Sequence, residues 1–250
     1  MQEIINNAII SIDNAGLRGD AYGLLNTVAL WIAMIFGFLH GIKLKVRIIP
    51  ILVSAAALYF LTGPLMSVIL FIENGFAPTG KQNGVVVFPV IPLLAFLIAK
   101  VLRRSWKELW DVMMVIPLAR FAGARIACTA VGCCHGYSCS WGIYSPIAGD
   151  TVFPIQLLES LVSIVILVLA LYREKKNGWV PDGRNVPFIL IVYGIARFFL
   201  EFFHDDEKVF WGIASMQIHC LIMILVGIIA LKIIQKSEVK ELQKAIAEVL

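Results

Sequence analysis

The chain has 250 residues, 60% of them hydrophobic and 15% charged, and its mean hydropathy is +0.86. A soluble domain of this size needs far more polar surface, which excludes the water-soluble classes and points to an integral membrane protein. The formal net charge of +4 is small, so its distribution matters more than its size, and no nucleic-acid partner is expected.

Residues 1–23 carry Asn6, Asn7, Asp13, Asn14, Gly16 and Asp20 among the apolar positions and read as an amphipathic piece at the interface. They lack the basic flank, the long apolar run and the small-residue cleavage site of a removable signal peptide. Apolar runs of about 20 residues, the length that crosses a bilayer, then follow at 24–41, 48–72, 85–102, 112–131, 153–172, 186–203 and 211–234. Pro50 and the pair Gly63-Pro64 predict a kink or a break in the second of these. Residues 235–250 form a tail. Apolar runs alternate with charged connectors throughout, with no repeat and no low-complexity tract, so 1–250 reads as a single all-α, polytopic membrane domain.

The charged connectors set an expected orientation. Lys43, Lys45 and Arg47, then Lys100, Arg103, Arg104 and Lys107, then Arg173, Lys175, Lys176 and Arg184, and Lys232, Lys236, Lys240 and Lys244 in the tail all fall on one side. Only Arg18, Lys81 and Lys208 fall on the other. The positive-inside rule therefore puts the N-terminus outside and the C-terminus in the cytoplasm of a bacterial cytoplasmic membrane.

Charged side chains inside a span are costly and mark functional sites by default. Arg120, Arg125 and Arg197 lie within predicted spans. Near Arg125, the segment FPIQLLE brings Gln156 and Glu159 one helical turn apart, and YGIARFFLEF puts Arg197 and Glu201 on one helix face at i, i+4. The Arg197–Glu201 pair has a plain alternative reading, mutual neutralisation within one helix. Polar groups at one depth on three helices point instead to a cavity where two guanidinium forks grip a phosphate. Gly123, Ala124, Ala127, Ala130 and Gly132 make a small-residue stripe that allows close helix approach or leaves room for a ligand.

The segment GCCHGYSC, residues 132–139, gathers Cys133, Cys134, His135 and Cys139 at the outer end of the fourth span. On the outer side a Cys134–Cys139 or Cys133–Cys139 disulfide closing a short loop is the easier geometry. A catalytic thiol or a His135 base is the second reading, and zinc the third, because adjacent cysteines point in different directions. No metal ligand and no cofactor is assigned. Cys128 and Cys220 read as small core residues. His204, with Asp205 and Asp206, reads as a solvated loop cap or as an acid–base or cation site; Gln217 and His219 read as helix–helix hydrogen bonds or cavity groups, and His40 as interfacial.

Several stretches taken together resemble the prolipoprotein diacylglyceryl transferases, seven-span bacterial enzymes that move a diacylglyceryl group from phosphatidylglycerol to a lipoprotein-precursor cysteine. AYGLL (21–25) resembles the family's first-span Tyr-Gly-Leu, and GARIACTAVGCCHG (123–136) its Gly-Arg-x-Gly-Asn signature. FPIQLLE (153–159) is similar to His-Pro-x-Gln-Leu-Tyr-Glu, YGIARFFLEFFHDD (193–206) to Tyr-Gly-x-x-Arg-Phe-x-x-Glu-Phe, and IASMQI (213–218) to Ser-Met-Gly-Gln. The resemblance implies an anionic phospholipid donor held by Arg125 and Arg197, with Glu201 holding Arg197 and with Tyr22, Gln156, Glu159 and Gln217 around the donor. The acceptor would be membrane-associated, a lipoprotein precursor or another molecule, and the site would lie near the outer leaflet. The chain also departs from the pattern. NGVVVFPVIP (83–92) has no counterpart of the family's His-Gly-Gly, Phe153 stands in a histidine place, and Cys128, Val131 and Cys133 stand in the places of Asn, Asn and Glu. His135 and Cys133 are then the candidate base and thiol. The competing readings are a membrane thiol-disulfide or metal-handling protein centred on Cys133, Cys134 and Cys139, and a non-catalytic lipid-binding protein of the same fold.

Overall fold

The computed structural model describes residues 2–77, 84–204, 208–210 and 213–249. Its helices are α1 (Gln2–Asn14), α2 (Arg18–Lys43), α3 (Ile48–Glu73), α4 (Ile91–Val101), α5 (Trp106–Val131), α6 (Ile155–Lys176), α7 (Asn185–Leu200) and α8 (Ser215–Val249). Among the described residues, seven helical segments are long and apolar enough to cross a membrane, as the hydropathy pattern predicts. Their outward faces carry Trp31, Ile35, Phe60, Leu93, Val168, Phe199 and Leu225, all exposed, as suits a lipid-facing surface.

The differences from the expected spans have local causes. The second span is not broken: α3 runs unbroken through Pro64. Pro50 is in its first turn, where the missing N–H has no intrahelical acceptor to lose. Around Pro64, the hydroxyls of Thr62 and Ser67 bond the carbonyls of Leu58 and Gly63. The third span is composite, a 3-10 segment over Gly84–Val90 continuing into α4, because Pro89 and Pro92 interrupt the regular α ladder. The first span starts earlier than expected, at Arg18, so Tyr22 belongs to a spanning helix rather than to the interfacial piece. The last span and the tail form one continuous helix, α8.

The central helix is α5, which packs on α2, α4, α6 and α7. Met113, Met114, Val115 and Leu118 are wholly buried on it. Its approach to α2 depends on a small residue: a Cβ at Gly123 would lie 2.6 Å from the Ala29 Cβ. One end of the bundle is tied by a buried polar network. His40 Nε2 lies 2.7 Å from Glu174 Oε2, Asn185 donates to Glu174 Oε1 at 2.6 Å, and Asp111 accepts from the backbone N–H groups of Gly183 and Asn185. His40, read as interfacial, is buried within the protein and pairs with Glu174 in the last turn of α2. His219 is a helix–helix partner, pairing with Glu73 of α3 at 3.0 Å.

The opposite end carries short β-structure with no forerunner in the hydropathy pattern. After α5 the chain forms an antiparallel hairpin of β1 (Ser138–Ser145) and β2 (Asp150–Val152), with a register shift between Ser138 and Ile143. Helix α1 lies against it: Gln2 donates to the carbonyl of Gly142, and the Tyr144 N–H to the Asn6 side chain. A second short pair, β3 (Lys208–Phe210) with β4 (Ile213–Ala214), precedes α8 at the same end.

Candidate active site

Between α5, α6 and α7, just below the hairpin, one carboxylate is the hub of a network of four charged side chains. Glu159 of α6 is wholly buried. Its Oε2 lies 2.6 Å from Arg125 Nε of α5, and its Oε1 lies 2.9 Å from Arg197 Nε of α7. Glu201, in the 3-10 turn that follows α7, makes a very short ion pair with the Arg197 guanidinium. Both arginines are buried, Arg125 at 8% exposure and Arg197 at 2%, so the pairs act in a medium that screens them poorly. The Phe121 ring packs under the Arg125 guanidinium, 4.5 Å from centroid to carbon.

The network also takes in His204, whose Nε2 lies 3.0 Å from Glu159 Oε1. His204 is buried and bridges to Gly136 in a short antiparallel contact, so it is not the solvated cap its polar neighbourhood implies. Asp205 and Asp206, read with it, lie outside the described residues. Tyr193, one turn before Arg197, stacks on Phe88 and meets Phe121 edge-to-face. Its hydroxyl is buried with no hydrogen-bond partner among the described residues. The Arg125 Nε and Glu159 Oε2 atoms face each other closely but are poorly aligned for a hydrogen bond. The Tyr193 hydroxyl therefore leaves beside the centre a donor that no described side chain takes up.

The remaining candidates divide clearly. Gln156, one turn before Glu159, donates to the carbonyl of Cys133 at 2.8 Å and so ties α6 to the cysteine loop. Tyr22, on α2, lies within electrostatic reach of Arg125, Cys128, Cys133 and Cys134. Gln217 is buried but spends its side chain on the N–H of Ala214 and the carbonyl of Phe198, at the junction of α7 and α8. Among the described residues His135 makes no hydrogen bond or ion pair with the arginine–glutamate network; its Nδ1 pairs with the carbonyl of Gly136. Phe153, in the family's histidine place, stacks between Tyr137 and Phe203 at 5.4 Å from each, with Trp141 edge-on.

The cysteine loop corrects two expectations. All five cysteines are free, so neither Cys133–Cys139 nor Cys134–Cys139 is bridged. The Sγ atoms of Cys128, Cys133 and Cys134 instead lie within 4.8 Å of one another. The cause is a tight reversal: Gly132 caps α5 in the left-handed region at φ 73°, and Cys134 adopts φ 54°, which folds both loop thiols back onto Cys128. Hydrogen bonding from the Cys128 and Cys133 thiols holds Cys134 well below the usual thiol range. Ser145 pins the reversal by donating to the carbonyl of Gly132 at 2.7 Å and accepting the N–H of Ala148.

Fold and site together define a polytopic membrane enzyme with an arginine–glutamate centre buried among its helices. Residues 11–233 match the family model described as prolipoprotein diacylglyceryl transferase. The chain is 33% identical over 164 residues to phosphatidylglycerol–prolipoprotein diacylglyceryl transferase 2 of Clostridium perfringens (strain 13 / Type A), a match covering 62% of this chain and 63% of that protein. It is 27% identical over 257 residues to the phosphatidylglycerol–prolipoprotein diacylglyceryl transferase of Campylobacter lari, covering 90% of this chain and 92% of the relative. The Campylobacter curvus enzyme of the same description is 27% identical, over 87% of this chain and 80% of its own length. The chain belongs to the prolipoprotein diacylglyceryl transferase family, and its class is membrane transferase.

Proposed function

We propose that this chain takes the diacylglyceryl group of phosphatidylglycerol and joins it to the thiol of a prolipoprotein cysteine, working at the outer leaflet of a bacterial cytoplasmic membrane. One observation carries the reading. Arg125 and Arg197, from different helices, converge within ion-pair distance of the same buried carboxylate, so two guanidinium groups are held ready for a lipid phosphate. The donor enters from the bilayer with its acyl chains along the apolar helix faces and its phosphate at the arginines. The acceptor thiolate attacks the glycerol carbon, a C–S bond forms, and the C–O bond to phosphate breaks. Glycerol phosphate leaves with the electron pair, its charge stabilised by the fixed arginines.

Glu159 and Glu201 orient these cations before substrate arrives, and His204 fixes Glu159. The asymmetry of basic connectors supports the outer-leaflet placement, since the clamp and the cysteine loop fall at the end away from the lysine- and arginine-rich connectors. Release of glycerol phosphate from headgroup-labelled phosphatidylglycerol in detergent, with a thiol peptide acceptor, tests the reading. Arg125→Ala and Arg197→Ala each abolish release if the clamp holds the donor; full activity in either variant refutes the assignment.

A further inference from the structure

We propose that Cys128, Cys133 and Cys134 form a three-thiolate site for a zinc-type divalent ion whose fourth position takes the acceptor thiol. The acceptor role rests on the transferase reading above; the metal site does not.

The observations are geometric. The three Sγ atoms lie within 4.8 Å of one another, and thiolates sharing one ion at Zn–S distances of about 2.3 Å sit roughly 3.8 Å apart in a tetrahedron, so small side-chain adjustments close the site. The backbone is already spent on this arrangement. Cys134 holds φ 54°, a conformation that non-glycine residues rarely adopt, and the effect is to return its side chain toward Cys128. The Cys133 Sγ contacts the carbonyl of Cys128 at 3.8 Å, and Gln156 holds the Cys133 carbonyl from the opposite helix. Cys128 is buried, Cys133 half-buried and Cys134 exposed, so an ion has a closed inner side and an open approach. Three protein ligands with one open position is the pattern of a reactive zinc site rather than a structural one.

Position supplies the role. Cys128 follows Arg125 by three residues on α5, about 4.5 Å along the axis and on the same face. Gln156 stands in the same relation to Glu159 on α6. The thiol cluster therefore lies one helical turn outward from the clamp along α5 and α6, two of the three helices that build it. A thiol entering the fourth position loses its proton to solvent on binding and becomes a metal-held thiolate beside the donor's glycerol carbon. It then forms the C–S bond as glycerol phosphate departs, and the ion is left with its three protein ligands. The neighbouring Arg125 offsets the excess negative charge of three thiolates on a divalent ion.

Cobalt(II) substitution tests both parts. Purified, reduced, metal-stripped full-length chain is titrated with Co(II), and then with a cysteine peptide or its serine counterpart, while the thiolate-to-cobalt absorption is followed. One Co(II) binds per chain; Cys128→Ser, Cys133→Ser and Cys134→Ser each weaken binding by ~100-fold or more, whereas Cys139→Ser and Cys220→Ser do not. Because Cys128 is buried and its variant could unfold, the exposed Cys134→Ser carries the decision, with thermal unfolding recorded beside it. The cysteine peptide shifts the absorption and the serine peptide leaves it unchanged. Absence of binding, or binding indifferent to Cys134→Ser, overturns the site; a metal signal blind to the cysteine peptide overturns the acceptor role. Metal-stripped protein that transfers lipid at the full rate also overturns that role. A peptide-responsive cobalt site in a protein that leaves phosphatidylglycerol intact refutes the transferase reading while the metal site stands.

Discussion

Replacing Glu159 by Gln keeps the shape of the hub and removes its charge. In the native protein this carboxylate lies 2.6 Å from Arg125 and 2.9 Å from Arg197, and the three residues are 0%, 8% and 2% exposed. Glu201 remains to balance Arg197, so the uncompensated charge falls on Arg125, which has no second carboxylate partner among the described residues. Breaking a buried pair by removing one partner costs about 3–5 kcal/mol, and the amide oxygen recovers part of this as a hydrogen bond, leaving about 3 kcal/mol. At roughly 2–4 °C per kcal/mol for a chain of this size, the melting temperature in a zwitterionic detergent drops by about 6–12 °C. Anionic phosphatidylglycerol then restores more of the loss in Glu159→Gln than it adds to wild type, because the lipid phosphate replaces the missing charge; phosphatidylcholine does not. Thermal unfolding monitored by tryptophan fluorescence, with each lipid, reads out both effects. A Glu159→Gln protein as stable as wild type, or one rescued equally by both lipids, refutes the account of Glu159 as the charge that holds the clamp together.

Other variants separate the site from the scaffold. Arg197→Lys keeps a positive charge but loses the planar fork, and lowers kcat for glycerol phosphate release by roughly 100- to 1000-fold in a donor-saturated assay. His40→Leu, at the other end of the bundle, strands the buried Glu174 and costs about 3 kcal/mol in chemical unfolding, with transfer at permissive temperature nearly unchanged. Ser145→Ala removes two hydrogen bonds at the cysteine reversal and destabilises by about 1–2 kcal/mol, and its larger signature is a weakened Co(II) absorption. Gly132→Ala combines a left-handed φ of 73° with a Cβ that would lie 2.6 Å from Pro146 Cδ and 2.9 Å from Ser145 Oγ, and costs about 2–4 kcal/mol by the same unfolding assay.

The spans were legible because a 20-residue apolar run has few alternatives in a chain this hydrophobic, and the inserted Arg125, Arg197 and Glu201 stood out against it. The role of Glu159 was only half legible. Its position one turn from Gln156 suggested a cavity lining, but its service to both arginines depends on how α5, α6 and α7 are rotated against each other, which sequence spacing does not specify. His204 was singled out as a loop cap or an acid–base or cation group, but its pairing with Glu159 escaped because two aspartates follow it and make the segment look solvated. Yet it continues the face of Arg197 and Glu201 at i+7 and i+3, and that periodicity was the available signal. The hairpin escaped because SCSWGIYS and DTV are too short and too polar to register beside membrane spans. Cys128 was set aside as core packing, since its meeting with Cys133 and Cys134 depends on two left-handed residues, one of them a cysteine whose type does not announce that conformation.

Mass spectrometry of a cysteine-containing lipoprotein-precursor peptide, after incubation with the purified full-length chain and phosphatidylglycerol of defined acyl composition, is the most direct measurement. The account predicts a thioether-linked diacylglyceryl adduct on the cysteine, carrying the donor's own acyl chains and accompanied by an equal amount of glycerol phosphate. It also predicts no adduct when Arg125 is replaced by Ala. An unmodified peptide from the wild-type reaction, or an equal yield from Arg125→Ala, would contradict it.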